Sequence, residues 1–166
     1  LLMQNVRTQS DNVQTSGQLT LPLGDGRFHL IDARDIAAVL AVALLREGLR
    51  GVVVNLTGPE ALSGRELAEQ LTRVVGYRVT YRAVPSRLAR AQMVQQKMPA
   101  WLVDDMLSMY GATDAAWVSR EVERLTGAPA RTFIDYIRDE AWAFERGEED
   151  GQLRGWVETD ALYMRT

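Results

Sequence analysis

The stretch VVVNLTGPEALSGRELAEQLTRVVGY, residues 52–77, predicts a strand that is followed by a helix. Its first residues, VVVNL, are rich in β-branched side chains, which is typical of a parallel strand buried on both faces. Ser63 and Glu66 have the spacing of a capping box at a helix start, and Gly76 has the position of a helix end. The stretch therefore indicates an α/β fold in which residues 52–56 form a central strand.

The segments around this unit continue the α/β pattern. Residues 18–21 and 27–31 alternate on either side of a Gly-Asp-Gly turn, so we expect two short extended segments there. Asp32 is placed to cap the helix that contains the apolar run IAAVLAVALL. Residues 78–84 alternate as a further strand.

The second half of the chain has a helical pattern. It is interrupted at Pro99, at Gly111 and at residues 126–129, and Thr132 is placed to cap the last strong helix. We expect one domain over residues 1–146 and a separate tail over residues 147–166, which begins with acidic residues.

Composition narrows the class of protein. The 166 residues suffice for one buried core, and 46% hydrophobic with 25% charged residues is ordinary for a globular protein. The formal net charge is −3, and basic residues are interspersed with acidic ones. Because no Lys/Arg stripe is present, we predict no nucleic-acid contact.

The sequence also indicates the cellular setting. It contains no cysteine, which fits a reducing cytoplasm, and its longest apolar run has ten residues. About 20 are needed to cross a bilayer, so we predict no membrane span and a cytoplasmic location. The first methionine is Met3, and the pattern begins abruptly, so we expect further sequence before residue 1.

The sequence gives little support for a metal site or for a phosphate-binding loop. His29 is the sole histidine, and the clustered carboxylates are explained by solvated helix faces and caps, so we predict no metal site. Gly24 and Gly26 lack the third glycine of a dinucleotide-binding turn, and an extended segment follows them.

The region between residues 93 and 110 concentrates soft and aromatic side chains, which adapt to flat apolar ligands. Core packing or a dimer contact explains a Met-rich helix equally well. The candidates for the wall of a substrate pocket are Met98, Trp101, Met106 and Tyr110.

Five segments together resemble the carboxyl-terminal half of NmrA-like proteins, which are atypical relatives of the short-chain dehydrogenases and include NAD(P)H-dependent quinone and azo reductases and redox-sensing regulators. The segments are MQN (3–5), PLGDGRFHLIDARDIAAVLAVAL (22–44), NLTGPEALSGRELAEQL (55–71), VTYRAV (79–84) and RLTGAPARTFIDYIRDEAWAF (124–144). The likeness covers residues 1–146 in order and spacing.

The resemblance implies an α/β architecture: the carboxyl-terminal part of a Rossmann-type doubly wound fold, with a small helical subdomain on the substrate side. It implies NAD(P)H as cofactor, with Met3, Gln4 and Asn5 near the nicotinamide and residues 85–110 around the substrate. In such proteins the glycine-rich loop belongs to the amino-terminal half, so we expect the cofactor half to precede residue 1.

The function implied by the resemblance is the substrate-side portion of an NAD(P)H-dependent oxidoreductase that acts on a small electrophilic, quinone- or azo-like molecule. The Tyr–Lys pair of short-chain dehydrogenases cannot form within this chain, because the sole lysine, Lys97, has Met93 four residues before it. A non-catalytic NAD(P)-sensing regulator and an interaction module therefore remain alternatives. A sheet without its first strands also predicts exposed edges and a possible homodimer.

Overall fold

The computed structural model describes residues 1–111 and 117–147. Within these residues the helices are α1 (Ser10–Ser16), α2 (Ala33–Leu45), α3 (Gly64–Val75), α4 (Ser86–Gln95), α5 (Ala100–Gly111), α6 (Glu121–Thr126) and α7 (Phe133–Asp139). The strands are β1 (Gln18–Leu21), β2 (Arg27–His29), β3 (Ala61–Ser63) and β4 (Thr80–Ala83). Short 3₁₀ helices cover Met3–Gln9, Glu47–Leu49 and Ala141–Phe144.

The strands form two pairs. β1 and β4 are parallel, with Gln18 opposite Thr80 and Leu21 opposite Ala83. β2 and β3 are antiparallel, and an isolated parallel bridge joins Leu2 to Ile31. A parallel pair needs a crossover connection, and here the chain between β1 and β4 supplies β2, α2, β3 and α3. The predicted strands at 18–21, 27–31 and 78–84 are thereby confirmed in outline.

The capping box at the start of α3 is confirmed. The Glu66 backbone N–H donates to Ser63 Oγ at 3.3 Å, and the Ser63 backbone N–H donates to Glu66 Oε2 at 2.8 Å. Backbone and side-chain hydrogen bonds from Ser63 lower the pKa of Glu66 to about 2. Gly76 ends the helix with a φ of 77°, in the left-handed region that glycine enters at no steric cost.

The main core lies between the β1–β4 pair, α3, α7 and the amino-terminal segment. Its fully buried members include Met3, Leu19, Leu67, Leu71 and Phe133. A smaller cluster of buried residues, Ile31, Val39, Val122 and Leu125, joins α2 to α6. The first core positions the elements that surround the cavity described below.

The prediction of a fully buried central strand at residues 52–56 is wrong. Residues 52–56 form no regular secondary structure, and no strand of the described residues pairs with them. Val54 and Leu56 pack against the smaller cluster, whereas 86% of the Val53 surface is exposed. A strand is buried on both faces only when other elements pack against both. Here the described residues cover only the face that carries Val54 and Leu56.

The predicted boundary between domain and tail is not tested. The tail, residues 147–166, lies outside the described residues except for Gly147.

Candidate functional site

A cavity of about 590 Å³ opens between the β1–β4 pair, the amino-terminal segment with α1, and the helices α4 and α5. The residues that line it are Asn5, Thr8, Gln9, Asn12, Gln18, Thr20, Leu21, Pro22, Arg82, Val84, Ala89, Gln92, Met93, Gln96, Met98, Met106 and Tyr110. The volume falls in the range of small-molecule sites.

One wall of the cavity is apolar and is made by α4, α5 and their connection. Met93, Met98, Met106 and Tyr110 are all half-buried along it. The two helices are joined by a bidentate ion pair, in which Arg90 Nε lies 2.7 Å from Asp104 Oδ1. Because methionine side chains are flexible and polarisable, this wall is suited to a flat conjugated ligand.

The opposite surface of the cavity is polar, and its β-strand residues were not predicted as site residues from the sequence. Alternation along β1 directs Leu19 into the core, while Gln18 and Thr20 line the cavity; Leu21, at the end of the strand, contacts both. Polar side chains also interrupt the apolar wall: cavity residues recur at Ala89, Gln92 and Met93 of α4 and at Gln96 just after it, the spacing of one helix face. Both periodicities are visible in the sequence, but the sequence does not indicate that these faces border one cavity.

Tyr110 and Asn5 meet in the cavity. Burial raises the pKa of the Tyr110 phenol above its ordinary value, and a hydrogen bond with the Asn5 side chain acts in the opposite direction. An ordinary phenol is already protonated at neutral pH, and the net upward shift of this pKa keeps the O–H as a donor. The fold thus brings one predicted cofactor-contacting residue, Asn5, beside one predicted substrate-contacting residue, Tyr110.

The other predicted site residues are placed differently. Met98 and Met106 line the cavity, but Trp101 does not, and 67% of its surface is exposed. Met3 is fully buried in the main core. Contacts of Met3, Gln4 and Asn5 with a cofactor, and of Trp101 with a substrate, stay predictions.

The Gln4 side chain is engaged at the start of α2. Its Nε2 donates to Asp32 Oδ1 at 3.1 Å, and its Oε1 accepts from the Ala33 backbone N–H at 3.1 Å. Asp32 is fully buried and also accepts from the backbone N–H and guanidinium of Arg34. Burial raises the pKa of Asp32, but hydrogen bonds from Arg34 and Gln4 outweigh it, so this pKa lies below its ordinary value.

Two other features bear on the kind of site. Within residues 1–111 and 117–147, no group of three His, Asp or Glu side chains is arranged to hold a metal ion. No helix in that part of the chain combines the length and apolar character that a bilayer crossing requires.

Comparison with known proteins gives the family. The model of the NmrA-like family matches residues 1–139. The chain belongs to the NmrA-like family. The predicted membership is therefore confirmed.

An NAD(P)H azoreductase from Xenophilus azovorans is 38% identical to this NmrA-like chain over 145 residues, which are 86% of this chain and 51% of that protein. The chain thus spans about half the length of the curated relatives that it matches.

Two solved structures show the same fold. An NADPH-dependent quinone oxidoreductase from Escherichia coli superposes with a TM-score of 0.71 at 24% identity, over 85% of this chain and 52% of that one. A triphenylmethane reductase from Citrobacter sp., complexed with NADP(H), gives a TM-score of 0.67 at 21% identity, over 81% of this chain and 48% of that one. The α/β, Rossmann-type fold predicted from sequence is confirmed.

The buried Asp32 predicts a specific dependence of stability on pH. Its folded-state pKa is lowered, so its contribution is complete above the unfolded-state value of about 4 and is lost as the pH falls through the folded-state value. We expect Asp32→Asn to lower the free energy of unfolding by about 1.5–3 kcal/mol at pH 7, as for hydrogen bonds to a charged group. The difference from wild type should shrink toward pH 2.

Urea unfolding at pH 7, 4 and 2 measures this difference. Glu121→Gln is the matched control, because Glu121 forms an exposed ion pair with Arg124 and should have a smaller effect. An Asp32→Asn effect that is equal at all three pH values would contradict an ionised Asp32.

Proposed function

We propose that this chain forms the substrate-side portion of an NAD(P)H-dependent oxidoreductase that reduces small electrophilic molecules of the quinone or azo class. The observation that carries the proposal is the cavity, in which an apolar Met and Tyr wall faces Asn5 of the amino-terminal segment. Family membership and the likeness to a protein described as an NAD(P)H azoreductase support the choice of reaction.

The described residues fit only the nicotinamide end of an NAD(P)H molecule. Asn5 lies at the cavity and offers an amide to a nicotinamide carboxamide, while Met3 and Gln4 stabilise the segment that carries it. No glycine-rich turn precedes a helix in the part of the chain that the structure describes, so no cradle for a pyrophosphate is present there. The bound nicotinamide would supply the hydride.

The proposed role of this chain is to bind and orient the substrate. The methionine wall packs against the flat body of a quinone or azo compound and excludes water from that face. The phenol of Tyr110 is protonated at neutral pH, as an ordinary phenol is, and the upward shift of its pKa preserves that state. From that position its O–H donates a hydrogen bond to a carbonyl oxygen or azo nitrogen, which polarises the group that is reduced.

The proposal that this chain alone does not form the cofactor site is tested by titrating NADPH and NADH into it and following nucleotide fluorescence. We expect no saturation at micromolar concentrations from a chain whose folding is verified by circular dichroism. Micromolar binding would show that these residues build a nucleotide site themselves and would overturn the substrate-side assignment.

The hydrogen bond from Tyr110 is tested by Tyr110→Phe. We expect 1,4-naphthoquinone to bind this variant about 2- to 10-fold more weakly by isothermal titration calorimetry, the loss of one hydrogen bond. Tyr77→Phe is the matched control, because the Tyr77 hydroxyl donates to the Phe144 carbonyl at 2.7 Å, away from the cavity. Equal affinities of both variants and wild type would remove Tyr110 from the proposed site.

A second candidate is a non-catalytic NAD(P)-sensing regulator of the same fold, which the lack of a Tyr–Lys pair within residues 1–166 leaves open. Cofactor binding without turnover of quinones or azo dyes, in a protein of the relatives' full length, would favour this alternative. Turnover would exclude it.

We further propose that the chain self-associates through residues 52–56. Val53, Leu44 and Leu45 each expose 86% of their surface, and the backbone of the segment has no partner strand among the described residues. Backbone N–H and C=O groups without a partner strand can pair with a second copy of the chain, as those of an edge strand do. We expect Val53→Lys to weaken a concentration-dependent dimer in sedimentation velocity, with Val118→Lys, at another exposed position, as control. A wild-type chain that is monomeric at every concentration would contradict this proposal.

A further inference from the structure

The polar surface of the cavity carries a guanidinium. In the parallel register of β1 and β4, Arg82 lies opposite Thr20, and both residues line the cavity. The neighbouring Tyr81 faces the other way: its ring packs over Gly64, and its hydroxyl donates to the Gly24 carbonyl at 2.9 Å. Alternation along β4 therefore fixes Arg82 on the cavity side.

Arg82 is the one charged side chain among the cavity-lining residues that the structure describes. No aspartate or glutamate stands in that lining, and within the described part of the chain no carboxylate lies within 4.0 Å of the Arg82 guanidinium. Arg27 and Arg90, by contrast, are paired with Glu66 and Asp104. The positive charge at the cavity is thus not neutralised by these residues.

The cavity lining also contains neutral hydrogen-bonding side chains. Gln9, Gln18, Gln92 and Gln96 line the cavity, and each provides amide N–H donors without a negative charge. Asn12 is already engaged, because its Nδ2 donates to the Gln18 carbonyl at 2.8 Å and to Thr20 Oγ1 at 2.9 Å. The cavity therefore combines one cation and several donors with an apolar wall.

We propose that the cavity selects substrates in which a flat conjugated body carries an anionic oxyacid substituent: a sulfonate, carboxylate or phosphate. The guanidinium of Arg82 presents a planar fork of donors that matches two oxygens of such a group. The body packs against Met93, Met98 and Met106. This inference rests on the proposed assignment of the cavity as the substrate site, and it names the substrate class that Arg82 recognises.

A purely structural role for Arg82 makes a different prediction. Charged residues on edge strands limit strand-to-strand aggregation, and β4 has β1 as its one partner strand among residues 1–111 and 117–147. In that case a substitution would change solubility or affect all ligands equally. Selectivity between an anionic and a neutral ligand of the same shape distinguishes the two roles.

The experiment compares azobenzene-4-sulfonate with azobenzene-4-sulfonamide, which has the same body and no charge at neutral pH. Binding to this chain is measured by isothermal titration calorimetry, without cofactor, at two salt concentrations. We expect wild type to prefer the sulfonate, and the preference to decrease as salt rises. Arg82→Gln should weaken sulfonate binding about tenfold and leave sulfonamide binding unchanged, as for loss of one charge-assisted hydrogen-bonding group.

Two variants make the test specific. Arg82→Lys keeps the charge but loses the fork, so its sulfonate affinity should be intermediate. Arg87→Gln removes an exposed positive charge on α4 outside the cavity lining and should leave both affinities unchanged. Circular dichroism and thermal unfolding verify that each variant is folded.

The outcomes separate this inference from the proposed function. Equal binding of both ligands to wild type and to Arg82→Gln overturns the selectivity for anions but leaves the cavity as a substrate site. An equal loss caused by Arg87→Gln assigns the preference to overall charge and also overturns it. Failure of both ligands and of 1,4-naphthoquinone to bind overturns the substrate site itself.

Discussion

The buried carboxylate of Asp32 joins the amino-terminal segment to the helices on which the rest of the described structure is arranged. It accepts a hydrogen bond from the Arg34 backbone N–H, which fixes the start of α2. It also accepts a hydrogen bond from the Gln4 side-chain amide, which fixes the segment Met3–Gln9. The Arg34 guanidinium, held by Asp32, also reaches Asp139 at the end of α7 with a 2.7 Å contact. A buried carboxylate is tolerated only when its oxygens are satisfied in this way, so these contacts are mutually dependent.

A second buried carboxylate, Asp35, lies in the first turn of α2. Asp35, also buried, accepts the Arg131 backbone N–H at 2.8 Å and forms an ion pair with the Arg131 side chain. The chain before α7 is thereby held against α2, and Glu60 accepts the Phe133 backbone N–H at 3.3 Å. Asn5, which lines the cavity, directly follows Gln4, which is hydrogen-bonded to Asp32. The position of Asn5 therefore depends on Asp32, although Asp32 itself does not line the cavity.

The sequence predicted the features that depend on near neighbours. The capping box of Ser63 and Glu66 and the cap at Asp32 are formed by residues two or three apart, and their chemistry is visible in a short window. Met98, Met106 and Tyr110 were found at the cavity because soft and aromatic residues are concentrated there. The prediction of a buried strand at 52–56 was wrong because burial there is decided by elements elsewhere in the chain.

The polar side of the cavity could not be predicted from local pattern. Gln18, Thr20 and Arg82 occupy the polar positions of alternating strands, which a sequence assigns equally well to solvent. Only the parallel register that sets Thr20 beside Arg82 makes them one surface. That register is a long-range property, and it is not encoded in either strand alone.

The parallel pairing of β1 with β4 also governs the order in which the protein can fold. Residue 18 pairs with residue 80, so closing this loop costs chain entropy before the contacts within it can repay that cost. Helix α3, with its local caps, has no such requirement. The cavity takes its residues from both sides of the closed loop, and it cannot exist in an intermediate that contains only the local helices. A ligand that binds there stabilises the fully formed topology and no earlier state.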